Sequence, residues 1–208
     1  MPSKLFSSPI GKKMGMALTG LILYGFLIGH LLGNLLLLKG DGGQAFNAYA
    51  EFLINHPLLI PAELFLVVVF LLHVYLAISV TRENRRARPV GYQATQSVGG
   101  RNFASYTMIY SGIIVLVFLV LHLKTFKYGD KAEGTLYDLV SATFQQTGYL
   151  VWYVIAMLVL GVHLWHAFQS AFQTLSVRSD KIRSLGPFLS LILALGFGFL
   201  PVYLGILK

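Results

Sequence analysis

The chain has 208 residues, of which 56% are hydrophobic and only 12% are charged, whereas about 25% of residues are charged in ordinary soluble domains. A soluble fold of this size could not bury so much apolar surface, so the composition favours a membrane protein. The absence of cysteine excludes disulfides, thiolate-bound iron–sulfur clusters and a cysteine nucleophile. The formal net charge of +8 suggests nucleic acid as a partner unless the positions of the charges explain it otherwise.

Five apolar stretches follow one another along the chain, each long enough to cross a hydrocarbon core, which takes about 20 helical residues. Backbone polar groups in lipid must be satisfied within their own segment. The sequence therefore predicts an all-α integral membrane protein, a five-helix bundle in a single transmembrane domain. No signal peptide and no internal repeat are apparent, and a short surface helix is predicted over 45–53. The predicted spans are 13–38, 59–81, 103–125, 148–175 and 185–206.

The basic residues are distributed unevenly between the two sides of such a bundle. If the N-terminus is cytoplasmic, 11 of the 16 Lys and Arg residues lie on the cytoplasmic side. This bias follows the positive-inside rule, so the net charge reports topology and nucleic acid is not needed to explain it. A basic face could also dock a soluble partner or anionic lipid. The 11 residues are Lys4, Lys12, Lys13, Arg82, Arg85, Arg86, Arg88, Arg101, Arg178, Lys181 and Arg183.

Histidines occur in each of the first four predicted helices. An ionisable side chain inside a membrane is costly and usually functional. At 1.5 Å rise per residue, His30 and His122 fall near the outer face, whereas His73 and His163 fall deeper, in the inner half. The histidines thus form two pairs at matching depths, His30 with His122 and His73 with His163.

Two imidazoles that face each other across a bundle are what a six-coordinate haem iron requires. Zinc would need three or four ligands converging on one point, and a di-iron bundle would need Glu-x-x-His motifs. The predicted cofactors are therefore two haems, with these four histidines as axial ligands. Depth alone leaves open whether His163 or His166 pairs with His73, because helix tilt changes the count by several residues. Glu63, at the start of the second span, is a candidate for proton handling.

Several short motifs together resemble the single-chain di-haem cytochrome b subunit that anchors succinate dehydrogenase and fumarate reductase in the membrane. Lys12–Lys13 precede the segment Met-Ala-Leu-Thr-Gly at 16–20, and the first helix ends in His-Leu-Leu-Gly-Asn at 30–34. Ala-Phe-Asn follows at 45–47 in the outer loop. The fourth helix carries His-Leu-Trp-His-Ala-Phe-Gln-Ser at 163–170. The resemblance covers nearly the whole chain.

The resemblance implies a function for the whole complex. This subunit would anchor a flavoprotein and an iron–sulfur protein to the cytoplasmic face of the cytoplasmic membrane. Electrons from succinate would pass through the clusters and two haem b groups to a membrane quinone, either menaquinone or ubiquinone. Succinate chemistry would not lie in this chain. The family's axial ligands map onto His30, His73, His122 and His163, which favours His163 over His166.

One position departs from part of the family. Some di-haem fumarate reductases carry a Glu two residues before the ligand on the fourth helix, as part of a transmembrane proton route, and Gly161 stands there in this chain. The resemblance therefore favours succinate oxidation over fumarate reduction. The alternatives are a fumarate reductase anchor that oxidises quinol, a cytochrome b subunit of a hydrogenase or formate dehydrogenase, and a transporter or haem-free anchor whose histidines serve helix packing or proton relay.

Overall fold

The computed structural model describes residues 8–87, 103–131, 134–177 and 179–208. In these ranges the chain forms seven α-helices and no β-strand. Short 3-10 or π-helical turns continue α1 over Leu35–Leu38, α4 over Leu123–Lys127 and α7 over Tyr203–Leu207. The helices are α1 (Pro9–Asn34), α2 (Gln44–Ile54), α3 (Leu59–Arg86), α4 (Phe103–His122), α5 (Leu136–Gln145), α6 (Thr147–Thr174) and α7 (Asp180–Val202).

Five of these helices, α1, α3, α4, α6 and α7, are long and apolar enough to cross a membrane. The prediction of an all-helical chain with five such helices is confirmed for the described residues, and it suggests a multi-pass membrane protein. Helix α3 extends five residues beyond the predicted span 59–81, to Arg86. The basic residues in its last turn interact favourably with the negative end of the helix dipole. The short helix predicted over 45–53 is α2.

Local capping explains where several helices begin. The Ser8 side chain accepts a hydrogen bond from the Gly11 backbone N–H, and Pro9 occupies the first helical position, where a missing N–H costs nothing. At the start of α5, Thr135 and Asp138 form a reciprocal capping box. The fourth span was predicted from residue 148, and α6 begins one residue earlier, at Thr147, whereas α5 was not predicted.

The packing of the long helices sets the frame for the histidines. Helix α1 packs against α3, α6 and α7, and α6 also packs against α4 and α7. Helices α1, α3, α4 and α6 thus form a four-helix group, and α7 covers its α1–α6 side. One ion pair lies at each end of this group. Lys12 of α1 pairs with Glu83 of α3 at the end where α1 begins, and Glu63 of α3 pairs with Lys127 at the opposite end.

The two short helices cover the end of the bundle opposite the start of α1. The side-chain oxygen of Asn47 accepts a hydrogen bond from the Tyr137 backbone N–H at 3.0 Å, which joins α2 to α5. The Tyr137 ring lies so close to Gly43, which has a φ of +87°, that a β-carbon there would be 2.2 Å away. Phe46, Tyr137 and Phe144 are buried in the core cluster at this end. The Ala-Phe-Asn motif therefore has a structural role in this chain.

Candidate functional site: two histidine pairs

His30 and His122 lie together at the end of the bundle opposite the start of α1, and we call them the far pair. Their ring centroids are 5.9 Å apart, and the ring planes are almost perpendicular, at 89°. Each ring contacts the phenylalanine four residues earlier on its own helix: Phe26 stacks on His30 at 5.3 Å and Phe118 contacts His122 at 5.6 Å. Sequence depth predicted this pair, and the structure brings its members into one place.

His73 and His163 lie deeper in the bundle, towards the end where α1 begins, and we call them the near pair. His73 Nδ1 is 3.1 Å from Thr19 Oγ1 on α1, and His163 Nδ1 is 3.1 Å from Ser111 Oγ on α4. The near pair is therefore held by hydroxyl groups on the helices that also carry the far pair.

The two pairs are separated along the bundle. Thr19, which contacts a near-pair histidine, precedes His30 by eleven residues on α1, and Ser111 precedes His122 by eleven on α4. At 1.5 Å rise per residue, this places the pairs about 16 Å apart along the helix axis. Each pair takes one histidine from each of two helices, so four helices contribute one ring each.

The far pair offers two imidazole rings with centroids 5.9 Å apart, a donor set that suits haem iron. Among the described residues, no three His, Asp or Glu side chains converge on one point. Two indole N–H groups of α6, those of Trp152 and Trp165, are buried without a hydrogen-bond partner and could donate to a polar group of a bound cofactor.

The remaining histidines occupy different settings. His166 lies three residues after His163 on α6, and Ser111 contacts His163. His56 lies in the loop before α3, where its Nδ1 accepts a hydrogen bond from the Leu58 backbone N–H. The choice between His163 and His166, which helix depth left open, stays a prediction.

The sequence contains an internal repeat, so the expectation that there is none is wrong, and the repeat accounts for the matching depths. The segment 16–30 on α1 corresponds to 108–122 on α4, with a hydroxyl residue at the fourth position of each. α1 with α3 and α4 with α6 repeat one local arrangement, in which a hydroxyl and a glycine of the first helix lie beside the histidine of the second. The identical pairs are Met16 and Met108, Gly20 and Gly112, Ile22 and Ile114, Phe26 and Phe118, Leu27 and Leu119, and His30 and His122.

Two glycines belong to this arrangement and were not predicted. A β-carbon on Gly20 would lie 3.3 Å from His73 Cε1, and one on Gly112 would lie 3.5 Å from His163 Cε1. Glycine at these positions lets the ring of the neighbouring helix approach the backbone. A comparison of the two segments would have found both the glycines and the hydroxyl residues before them.

Of four other glycines on α1 and α6, two are packed against a neighbouring helix. A β-carbon on Gly33 would overlap the Tyr49 ring, so Gly33 permits close packing of α2, whereas Gly25 and Gly29 have no protein atom within 4 Å of that position. Gly161 faces α7, because a β-carbon there would lie 2.7 Å from Ala194 Cβ. Glu63, the candidate for proton handling, forms an ion pair with Lys127 and accepts a hydrogen bond from it.

Comparison with known proteins gives no match for this chain, neither to a family model nor to a curated protein nor to a solved structure. The assignment of function therefore depends on the residues and their arrangement.

Proposed function

We propose that this chain is a di-haem cytochrome b, the membrane subunit of a succinate:quinone oxidoreductase. His30 and His122 of the far pair would hold one haem b, and His73 and His163 of the near pair would hold the other. The observation that carries the proposal is the presence of two histidine pairs, one ring from each of four helices, about 16 Å apart along the bundle. Each haem, when bound, would supply a one-electron redox centre.

The protein's own groups would orient the ligands and keep water away from them. Phe118, Phe126 and Tyr153 surround His122, with ring centroids 5.5 to 6.2 Å from the imidazole. This shell keeps the far-pair ring in place by shape, and it lowers the local polarity. Hydrophobic surroundings and hydrogen bonds to the ligands are the means by which a protein tunes the potential of a bound haem.

The proposed partners are subunits that hold the redox centres this chain cannot bind. Without cysteine it cannot hold an iron–sulfur cluster by thiolates, so we propose that a flavoprotein and an iron–sulfur subunit dock on the end where α1 begins. Arg82, Arg85 and Arg86 lie at that end of α3. With the N-terminus on the cytoplasmic side, this end would face the cytoplasm, and electrons would reach menaquinone or ubiquinone in the cytoplasmic membrane.

The packing of Gly161 supports succinate oxidation over fumarate reduction coupled to a proton route on α6. A glutamate at this position would have to displace Ala194 of α7, since even a β-carbon lies 2.7 Å from its Cβ. We therefore propose no carboxylate-mediated proton transfer at this point of α6.

The test of the proposal is a haem assay on the purified full chain and on its complex. We expect a reduced-minus-oxidised spectrum of low-spin haem b, with two haems per chain by the pyridine haemochrome assay. A fully assembled complex without haem would refute the proposal. Co-purification of a flavoprotein supports the succinate assignment, whereas a hydrogenase or a molybdenum enzyme in its place would assign the cytochrome to a different complex.

A further inference from the structure

The near-pair histidines share one hydrogen-bond arrangement that appears twice in the molecule. Thr19 Oγ1 lies 2.8 Å from the Gly15 carbonyl oxygen and 3.1 Å from the Met16 carbonyl oxygen, both on its own helix, as well as 3.1 Å from His73 Nδ1. Ser111 Oγ lies 3.0 Å from the Met108 carbonyl oxygen and 3.1 Å from His163 Nδ1.

The proton count of these contacts bears on the tautomer of each ring. A hydroxyl has one proton, and a carbonyl oxygen can only accept. When the hydroxyl donates its proton to a carbonyl of its own helix, at 2.8 Å for Thr19 and 3.0 Å for Ser111, its oxygen can only accept from the imidazole. In that arrangement each ring carries its proton on Nδ1.

We infer that Thr19 and Ser111 are positioning residues that fix the Nδ1–H tautomer of His73 and His163, and so leave the Nε2 lone pair of each ring free to bind a metal. The inference rests on the proposed function in that the lone pairs are assigned to the near haem. A second partner on the far ring nitrogen fixes the tautomer and raises the basicity of a metal-bound histidine. More basic ligands stabilise the ferric state, so these hydroxyls would lower the midpoint potential of the near haem.

The far pair lacks this arrangement and therefore serves as a control within the same protein. Tyr153 OH is 3.4 Å from His122 Nδ1, and Asn34 Nδ2 is 3.5 Å from His30 Nε2, both longer than ordinary hydrogen bonds. The effect of removing a hydroxyl should therefore be confined to one of the two haems.

The test is a potentiometric titration of the full chain carrying both haems. Thr19→Val, which keeps the shape of the side chain, and Ser111→Ala are expected to raise the midpoint potential of the near haem and leave that of the far haem unchanged. Thr19→Ser and Ser111→Thr should restore it. Thr143→Val is the matched control, because the Thr143 hydroxyl is also buried and also donates to the carbonyl four residues earlier, that of Leu139.

A near-haem potential that stays unchanged in both hydroxyl-deficient variants, or that shifts equally in Thr143→Val, would overturn the inference while leaving the two-haem assignment intact. The tautomers have a readout that needs no haem. In the haem-free chain with ¹⁵N-labelled histidine, His73 and His163 should give Nδ1–H signals, and Thr19→Val should convert His73 alone to the Nε2–H tautomer. Nε2–H signals from both wild-type rings would refute the inference even if a variant failed to bind haem.

Discussion

The near pair and the far pair of histidines are held in different ways, although both lie within one group of four helices. His73 and His163 each contact a hydroxyl at 3.1 Å and face a glycine on the neighbouring helix. His30 and His122 have polar contacts of 3.4 Å or longer and are surrounded by aromatic rings. The near pair is oriented by directional hydrogen bonds, the far pair by the shape of its packing.

The difference shows how one repeated arrangement gives two different histidine sites, the near pair and the far pair. Within the repeat, Asn34 of α1 corresponds to Phe126, so the residue four positions after each far-pair histidine differs. Phe126 joins Phe118, Phe144 and Tyr153 around His122. The hydroxyl and glycine positions, in contrast, are kept in both copies. We therefore expect similar environments for the two near ligands and dissimilar ones for the two far ligands.

The largest expected effect is the loss of one haem at a time. Replacing His73 with Leu should remove the near haem and keep the far one, and His122→Leu should do the reverse, because each pair supplies both axial ligands of one iron. The haem-to-protein ratio should fall from two to one in each variant. His166→Leu is the control and should keep two haems; a ratio of one in that variant would contradict the assignment of His163.

The next effect concerns the glycines of the near pair. Gly20→Ala would place a β-carbon 3.3 Å from the His73 ring, and overpacking of this kind costs about 1–3 kcal/mol. We expect lower near-haem occupancy and a lower thermal midpoint, with a smaller change for Gly112→Ala, where the distance is 3.5 Å. Gly198→Ala is the control, since its new β-carbon would lie 3.7 Å from Met157. Equal losses in all three variants would show that the near pair is not specifically constrained.

The far pair should respond to the loss of a ring more than to the loss of a hydroxyl. Tyr153→Leu removes ring contacts with Phe118, Phe126 and Phe144, and such aromatic contacts are worth about 0.5–1.5 kcal/mol each. We expect it to reduce far-haem occupancy, whereas Tyr153→Phe should change little. Tyr24→Phe is the matched control, because the Tyr24 hydroxyl makes an equally long contact, 3.4 Å to Ser190. A large potential shift in Tyr153→Phe alone would mean that the far pair also depends on a hydrogen bond.

The smallest effect is a pH dependence of stability that arises at the start of α5. Phe144 of this helix contacts Phe126 and Tyr153, which lie beside His122. Hydrogen bonds from the Thr135 backbone and side chain lower the pKa of Asp138. Since the pKa is lower in the folded protein, the stabilisation is present above the ordinary carboxyl pKa of about 3.9 and is lost as the pH falls through the lowered value. Asp138→Asn should flatten the acid side of the thermal-midpoint profile, measured from pH 6 to pH 3. A profile identical to that of the wild type would exclude this role.

Much of the fold followed from hydropathy, because a hydrocarbon solvent permits few alternatives to long apolar helices. The loop helix α2 and the start of α6 near residue 148 were also readable from local pattern. The site was only partly readable: depth paired His30 with His122, but it could not separate His163 from His166. Depth also could not reveal Thr19, Ser111, Gly20 or Gly112, whose importance comes from contacts with histidines 51 to 54 residues away along the chain.

The sequence by itself determined the solvent of this protein, the number of its long helices and the depth of each histidine, because these depend on composition and on the constant rise of a helix. Only the tertiary structure decided which hydroxyl meets which imidazole and which glycine lies beside which ring. The physical reason is that depth is a property of one helix, whereas the rotation of each helix about its axis is set by the side chains of its neighbours.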